Sequence, residues 1–158
     1  MASGKKDYFA VAADEAHHSL CLRRKCGSVI VKDNKIIGRG FNGPPQNNLK
    51  WRHCNKLLDK LRKYPTDKTC CIHAEIRAIN DALIRNSKKI QGADLYFASV
   101  SKSDKIIPAK KPYCTICSKQ SLEVNLARVW LWLDDGPHSY NTVEYHEISR
   151  AANRLDQV

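Results

Sequence analysis

Acidic charge is scarce in this sequence, and long apolar runs are missing from it. No segment approaches the roughly eighteen consecutive apolar residues of a membrane-spanning helix, so no membrane span is expected. The opening stretch, MASGKKDYFAVAADEAHH, lacks the apolar region of a secretion signal. The expectation is a cytoplasmic protein. No internal repeat and no low-complexity linker divides the 158 residues, a length that fits a single domain over 1–158. Only 16 Asp and Glu stand against 27 Lys and Arg, a net charge of +11. That excess points to an anionic partner such as a nucleotide, a nucleic acid or a membrane surface; the plainer reading is a solvated basic face.

Cysteine is the residue that is present in quantity. There are seven, at 21, 26, 54, 70, 71, 114 and 117. An odd number without a secretion signal argues against a disulfide framework and for thiolate or metal chemistry.

Hydrophobic periodicity predicts the elements. Residues 7–20 place Tyr8, Val11, Ala12 and Ala16 on one helical face, with Asp7 at the start. Residues 27–32 and 35–39 flank Asp33-Asn34 and read as a β-hairpin. A polar loop, 40–48, follows. Residues 51–64 read as a short helix. A clearer one covers 72–86, where Ile72, Ile76, Ile79 and Leu83 form one stripe. Residues 94–100 read as a strand, 115–125 as a helix and 127–133 as a buried strand. Gly136-Pro137 breaks the chain before a last helix over 142–155. The order is that of an α/β protein with helices on a sheet.

Two short clusters carry the chemistry. His73-Ala74-Glu75 opens the clearest helix, and Cys114-Thr115-Ile116-Cys117 opens the next, with Pro112 just ahead. Either alone is weak. A CxxC pair fits a redox site or half of a structural zinc site as well as a catalytic one. Together they supply His73, Cys114 and Cys117, the three protein ligands of a catalytic zinc whose fourth position is left to water. Glu75, two residues past the histidine, is then placed to move protons. Both clusters sit at helix N-termini, where the dipole favours thiolate. HxE followed by Pro and CxxC is the signature of the zinc deaminases.

On these residues the chain resembles the cytidine and deoxycytidylate deaminase superfamily, and most of all its deoxycytidylate (dCMP) deaminases. The stretch 21–43, CLRRKCGSVIVKDNKIIGRGFNG, resembles the family's paired strands and the loop after them. Residues 51–75 resemble the insertion that dCMP deaminases carry before the zinc histidine. The resemblance covers about residues 8–133. Two features depart from it: Tyr113 separates Pro112 from Cys114, and the loop 101–111 is longer than usual. No strand is evident after the last helix. HAEIRAI (73–79) also resembles tRNA adenosine deaminases.

The resemblance implies a three-layer α/β/α fold with a mixed central sheet, insertions at about 44–70 and 101–111, and a homo-oligomer. It implies hydrolytic deamination of a cytosine nucleotide, dCMP to dUMP with release of ammonia. Zn2+ would be held by His73, Cys114 and Cys117, with Glu75 carrying protons. Ala74 would offer its backbone to the base, and Asn42 its side chain to the sugar. Two other functions stay open: deamination of a base in tRNA or single-stranded DNA, and a zinc-stabilised binding module without turnover.

Other residues have two readings each. Cys21, His53, Cys54 and Cys70 are candidates for a second, structural zinc; the alternative is buried free thiols. Some phage and bacterial dCMP deaminases carry a structural zinc near such positions. Trp130 and Trp132 read as core or as an oligomer face before base stacking. Charge is concentrated in the two insertions. Residues 50–68 hold Lys50, Arg52, Lys56, Lys60, Arg62, Lys63 and Lys68 against Asp59 and Asp67. Residues 101–111 hold Lys102, Lys105, Lys110 and Lys111 against Asp104. Each precedes a zinc motif, so both are expected at the rim of the site.

Overall fold

The computed structural model describes residues 7–54 and 70–154. Helix α1 (Tyr8–Ala16) begins where Asp7 accepts from the N–H groups of Phe9 and Ala10, an N-cap that satisfies two otherwise orphaned donors. It stops at Ala16, short of the expected Leu20, because the chain turns there to bring Ser19 against Asn42. Strands β1 (Lys25–Lys32) and β2 (Lys35–Phe41) form the expected hairpin, each two residues longer at the open end. Asp33 and Asn34 both take left-handed backbone angles (φ 49° and 59°), the tight turn that suits strand twist.

The sheet is completed by β3 (Asp94–Val100), a two-residue β4 (Ile106–Ile107) inside the predicted loop, β5 (Arg128–Leu133) and β6 (Gly136–Asn141). The order is β2-β1-β3-β5-β6, with β4 beside the end of β3. Only β3 and β5 run parallel, so the sheet is mixed. Strand β6 was not anticipated: Gly136-Pro137 does not end the sheet but starts its edge strand. Proline is tolerated there because, among the described residues, no further strand pairs beyond β6 to need its missing N–H.

Helix α1 covers one face over Val29, Val31, Ala98 and Val100. The other face carries α2 (Ala74–Asn86), α3 (Thr115–Glu123) and α4 (Thr142–Ala152) over Ile30, Leu95, Val129 and Leu131. This is the three-layer α/β/α arrangement. On the α1 face Trp130 stacks on Tyr96 (centroids 5.4 Å apart) and Phe9 meets Trp132 edge-on, so both tryptophans serve packing. Leu49–Trp51 forms a single 3-10 turn; the rest of the expected 51–64 helix, from residue 55, lies outside the described residues.

The burial of α2 differs from the predicted isoleucine stripe. Ala74, Ala78, Ala82 and Ile79 are buried, while Ile76 is half-exposed and Ile72 precedes the helix. The reason lies in β2. A Cβ at Gly38 would collide with the Ala78 carbonyl, and one at Gly40 with Ala74 O and Ala78 N, all inside 3.0 Å. Backbone lies on backbone, so only small residues fit the contact, and the larger ones turn aside. Gly40→Ala is expected to destabilise the protein by about 1–3 kcal/mol and to loosen the start of α2. Urea denaturation reads the first effect; an unchanged midpoint would show that the helix is not seated this closely.

Candidate functional site

His73 is the N-cap of α2 and Cys114 the N-cap of α3, with Cys117 one turn into α3. The two helix starts face each other. His73 Nδ1 lies 3.2 Å from Cys117 Sγ and 3.3 Å from Cys114 Sγ, and the two sulfurs are 3.3 Å apart. All three ligand atoms fall within 4.8 Å of one another. Zn–S bonds of 2.3 Å and Zn–N bonds near 2.0 Å in a tetrahedron impose ligand separations of about 3.6–3.8 Å. Two thiols and one imidazole at these distances fit zinc in number, chemistry and size.

The electrostatics agree. The Cys117 thiol beside it holds Cys114 down at about 4; His73 adds to this, and burial opposes it. Hydrogen bonding to Cys114 lifts His73 to about 9 against its burial. Both directions favour a thiolate at Cys114 beside a protonated His73, and a cation bound there takes the place of the protons.

Glu75 sits in the first turn of α2 and is buried. Burial lifts its carboxyl above the usual range, and the nearby His73 charge opposes the lift. That direction suits a group that must both take and give a proton near neutral pH. Ala74 is wholly buried at the first position of α2, where backbone N–H groups have no intrahelical acceptor.

His73, Ala74, Glu75 and Cys114 open onto one cavity of about 650 Å³. Its apolar wall includes Phe97, Leu131 and Tyr145; Arg23, Arg24, Lys102, Lys110 and Lys111 supply positive charge. The 101–111 insertion therefore reaches the rim as its charge suggested. Most of the 50–68 insertion lies outside the described residues. The lining residues Arg24, Cys26, Phe97, Tyr113 and Tyr145 were not singled out from the sequence as site residues. They come from loops, strands and a helix spread along the chain and share no local motif. Cys26, one of them, is pushed up to about 12 by burial and by the charge of Glu75, so it is a neutral thiol.

Asn42 lines the cavity, but its side chain is largely engaged. Its Oδ1 accepts from Cys26 N at 2.9 Å and from Ser19 Oγ, and its Nδ2 donates to Arg24 O at 2.8 Å. The loop after it is pinned by Arg77, which donates to Asn47 Oδ1, Gly43 O and Pro44 O. Gly43 pairs with Ile72 through both backbone bonds, tying this loop to the residue before His73.

A second thiol group lies along the same cavity. Cys70 Sγ is 3.9 Å from both Cys54 Sγ and Cys71 Sγ. Cys21 is held down at about 5 by the Cys71 thiol, with Cys54 also contributing. Three of the four residues read as a second cluster are thus together, joined by Cys71, which the sequence reading passed over. His53 lines the cavity and is exposed.

The family model for the cytidine and deoxycytidylate deaminase zinc-binding region matches residues 3–132. A deoxycytidylate deaminase of Mycobacterium phage D29 is 33% identical over 97 residues, 57% of this chain and 73% of that protein. One of Pongo abelii is 32% identical over 139 residues, 84% of this chain and 66% of that protein. Among solved structures, dCMP deaminase of cyanophage S-TIM5 in complex with dCMP and dUMP is 25% identical with a TM-score of 0.53, over 77% of this chain and 75% of that one. Cytidine deaminase from Burkholderia pseudomallei, 16% identical, shares the fold at a TM-score of 0.57 over 87% and 92% of the two chains. With the His-Cys-Cys cluster at two facing helix starts and a family match over most of its length, the chain belongs to the zinc-binding cytidine and deoxycytidylate deaminases.

Proposed function

We propose that this protein hydrolyses a cytosine nucleotide, dCMP, to dUMP and ammonia. The observation that carries the reading is a buried carboxyl, Glu75, in the cavity that His73 and Cys114 of the zinc-fitting trio also line. His73, Cys114 and Cys117 would hold the zinc, which supplies a Lewis acid that makes water acidic near neutral pH. Glu75 takes one proton from water and passes it to ring N3, then takes the second from the new hydroxyl on C4 and gives it to the departing amino group. Water and cytosine thereby become uracil and ammonia, with protons conserved. The backbone of Ala74 orients the base at the helix start. Phe97, Leu131 and Tyr145 keep bulk water from the reacting face. The curated deoxycytidylate deaminases and the dCMP-bound cyanophage enzyme favour the mononucleotide substrate. Among the described residues no helix is long and apolar enough to cross a membrane.

One observation favours a second substrate class. Lys102, Lys110 and Lys111 give the cavity more positive charge than one phosphate needs. A base in single-stranded DNA or tRNA would use such a rim for its backbone.

The second zinc expected at Cys21, His53, Cys54 and Cys70 stays a proposal: the 3.9 Å separation of Cys54 and Cys70 supports part of the set, while among the described residues only His73, Cys114 and Cys117 bring three ligand atoms within 4.8 Å of one another.

The reading predicts ammonia release from dCMP at a rate that barely changes with salt. Activity confined to polynucleotides and falling steeply with salt would replace it with the second reading. Glu75→Gln should keep its zinc and lose turnover at least 100-fold; near-normal deamination by that variant would remove Glu75 from the mechanism. Metal analysis should find two zinc ions per chain, falling to one in Cys54→Ser and, independently, to one in Cys114→Ala. A single zinc that survives Cys54→Ser would dismiss the second site.

A further inference from the structure

Tyr145 is a tyrosine where a phenylalanine would serve packing equally well. It lies in α4, is 4% exposed and joins the core that includes Val129 and Leu131, yet it also lines the cavity. Helix α4 is tied to both flanks of the Cys114–Cys117 segment. His146 Nδ1 and the hydroxyl of Ser118, the residue after Cys117, are hydrogen-bonded at 2.7 Å. Asn153 Nδ2 donates to the carbonyl of Tyr113, the residue before Cys114, at 2.6 Å. The Tyr145 ring is thereby held on the thiol side of the cavity. Burial first, and then the charges of Glu75, Cys117 and Cys114, push its phenol well above the ordinary range, so it stays protonated.

A buried tyrosine hydroxyl ordinarily has a partner, because leaving it dry and unpaired is costly. Among the described residues none pairs with this one, and the single shut-off side-chain oxygen or nitrogen without a partner is Ser28 Oγ. The Tyr145 hydroxyl therefore opens into the cavity. On the cytosine reading above, C4 has to stand at the His-Cys-Cys trio, since water is added there. Around C4 the ring offers N3, C5–H and the amino nitrogen. Glu75 serves N3, and C5–H is no partner for a phenol. The amino group remains. We propose that Tyr145 is a further catalytic residue, whose hydroxyl oxygen accepts an N–H of the 4-amino group and keeps hold of that nitrogen as it departs as ammonia. No proton passes through the phenol; both travel by Glu75. The assignment rests on the cytosine-nucleotide reading. A phenol donates as well as accepts, so in the product the same hydroxyl turns to donate to O4 of uracil. Tyr113, the other phenol of the wall, is 48% exposed, and the charge that acts on it most is that of Arg24, so it belongs to the cationic side of the cavity.

Tyr145→Phe removes the hydroxyl and keeps the ring. In the zinc-loaded enzyme it should lower kcat/KM for dCMP about 10-fold, the loss of one hydrogen bond at the reacting group. Tyr140→Phe, which strips a hydroxyl from the ring packed beside it, should not. Two ligands read the contact without turnover. By calorimetry Tyr145→Phe should weaken dUMP about 5- to 10-fold and leave unchanged the deoxyribonucleotide of pyrimidin-2-one, which carries only hydrogen at C4. Both affinities come from one preparation, so their ratio does not depend on how much of it is folded. A merely structural role moves both ligands alike, and that result overturns the assignment. Losses confined to Tyr113→Phe move the contact to the other phenol and overturn it too. If the wild type deaminates no cytosine compound, the deaminase reading falls and the assignment with it. If the wild type deaminates dCMP and Tyr145→Phe does so at full rate, the assignment falls alone.

Discussion

Helix α2 rests on β2 with no side chain between the two backbones at Gly38 and Gly40, and the site depends on that contact. Gly40 seats Ala74, the residue between His73 and Glu75. The start of α2 is therefore fixed against the sheet, and with it the imidazole, the buried carboxyl and the free N–H groups of the first turn. Helix α3, which lies in the crossover from β3 to the parallel β5, brings its own start to the same point, with Cys114 and Cys117 one turn apart. Two helix starts meeting at one place concentrate positive dipole where thiolates must be held. The short ligand separations follow from this backbone geometry rather than from any flexibility of the side chains.

Around that centre the protein separates its charges by burial. Glu75 is lifted above the usual carboxyl range by burial, while the Cys117 thiol and His73 hold Cys114 down. Cys26 and Tyr145, pushed up by burial, stay neutral and add no competing charge. The cations stand on the cavity wall, just ahead of β1 and in the 101–111 insertion. A polar ligand that enters thus meets positive charge at the rim and a proton carrier at the base.

Much of this was legible in the chain. The hairpin around Asp33-Asn34, strand 94–100 and the helices after His73 and Cys114 follow from local patterns: alternation, turn residues and helix starts. The zinc-fitting trio was legible because two motifs of fixed spacing each carry their own chemistry. Strand β6 was not, since Gly136-Pro137 looks like a break until the strand is known to lie at an edge. The buried face of α2 was misread, because hydrophobicity favours Ile72 and Ile76 over alanine while the close approach of β2 favours alanine.

The sequence by itself determined the ligand types, the order of the elements and the excess of positive charge, because each is written in residue identity and short spacing. Only the tertiary structure decided which groups share a cavity. Arg24, Ser99 and Asn42 come from three separate segments, and their hydrogen bonds exist because β1 pairs with β3 and the chain after β2 folds back on it. Such contacts join residues 18 and 75 positions apart. No local periodicity records them, since the energy that fixes them belongs to the packed sheet.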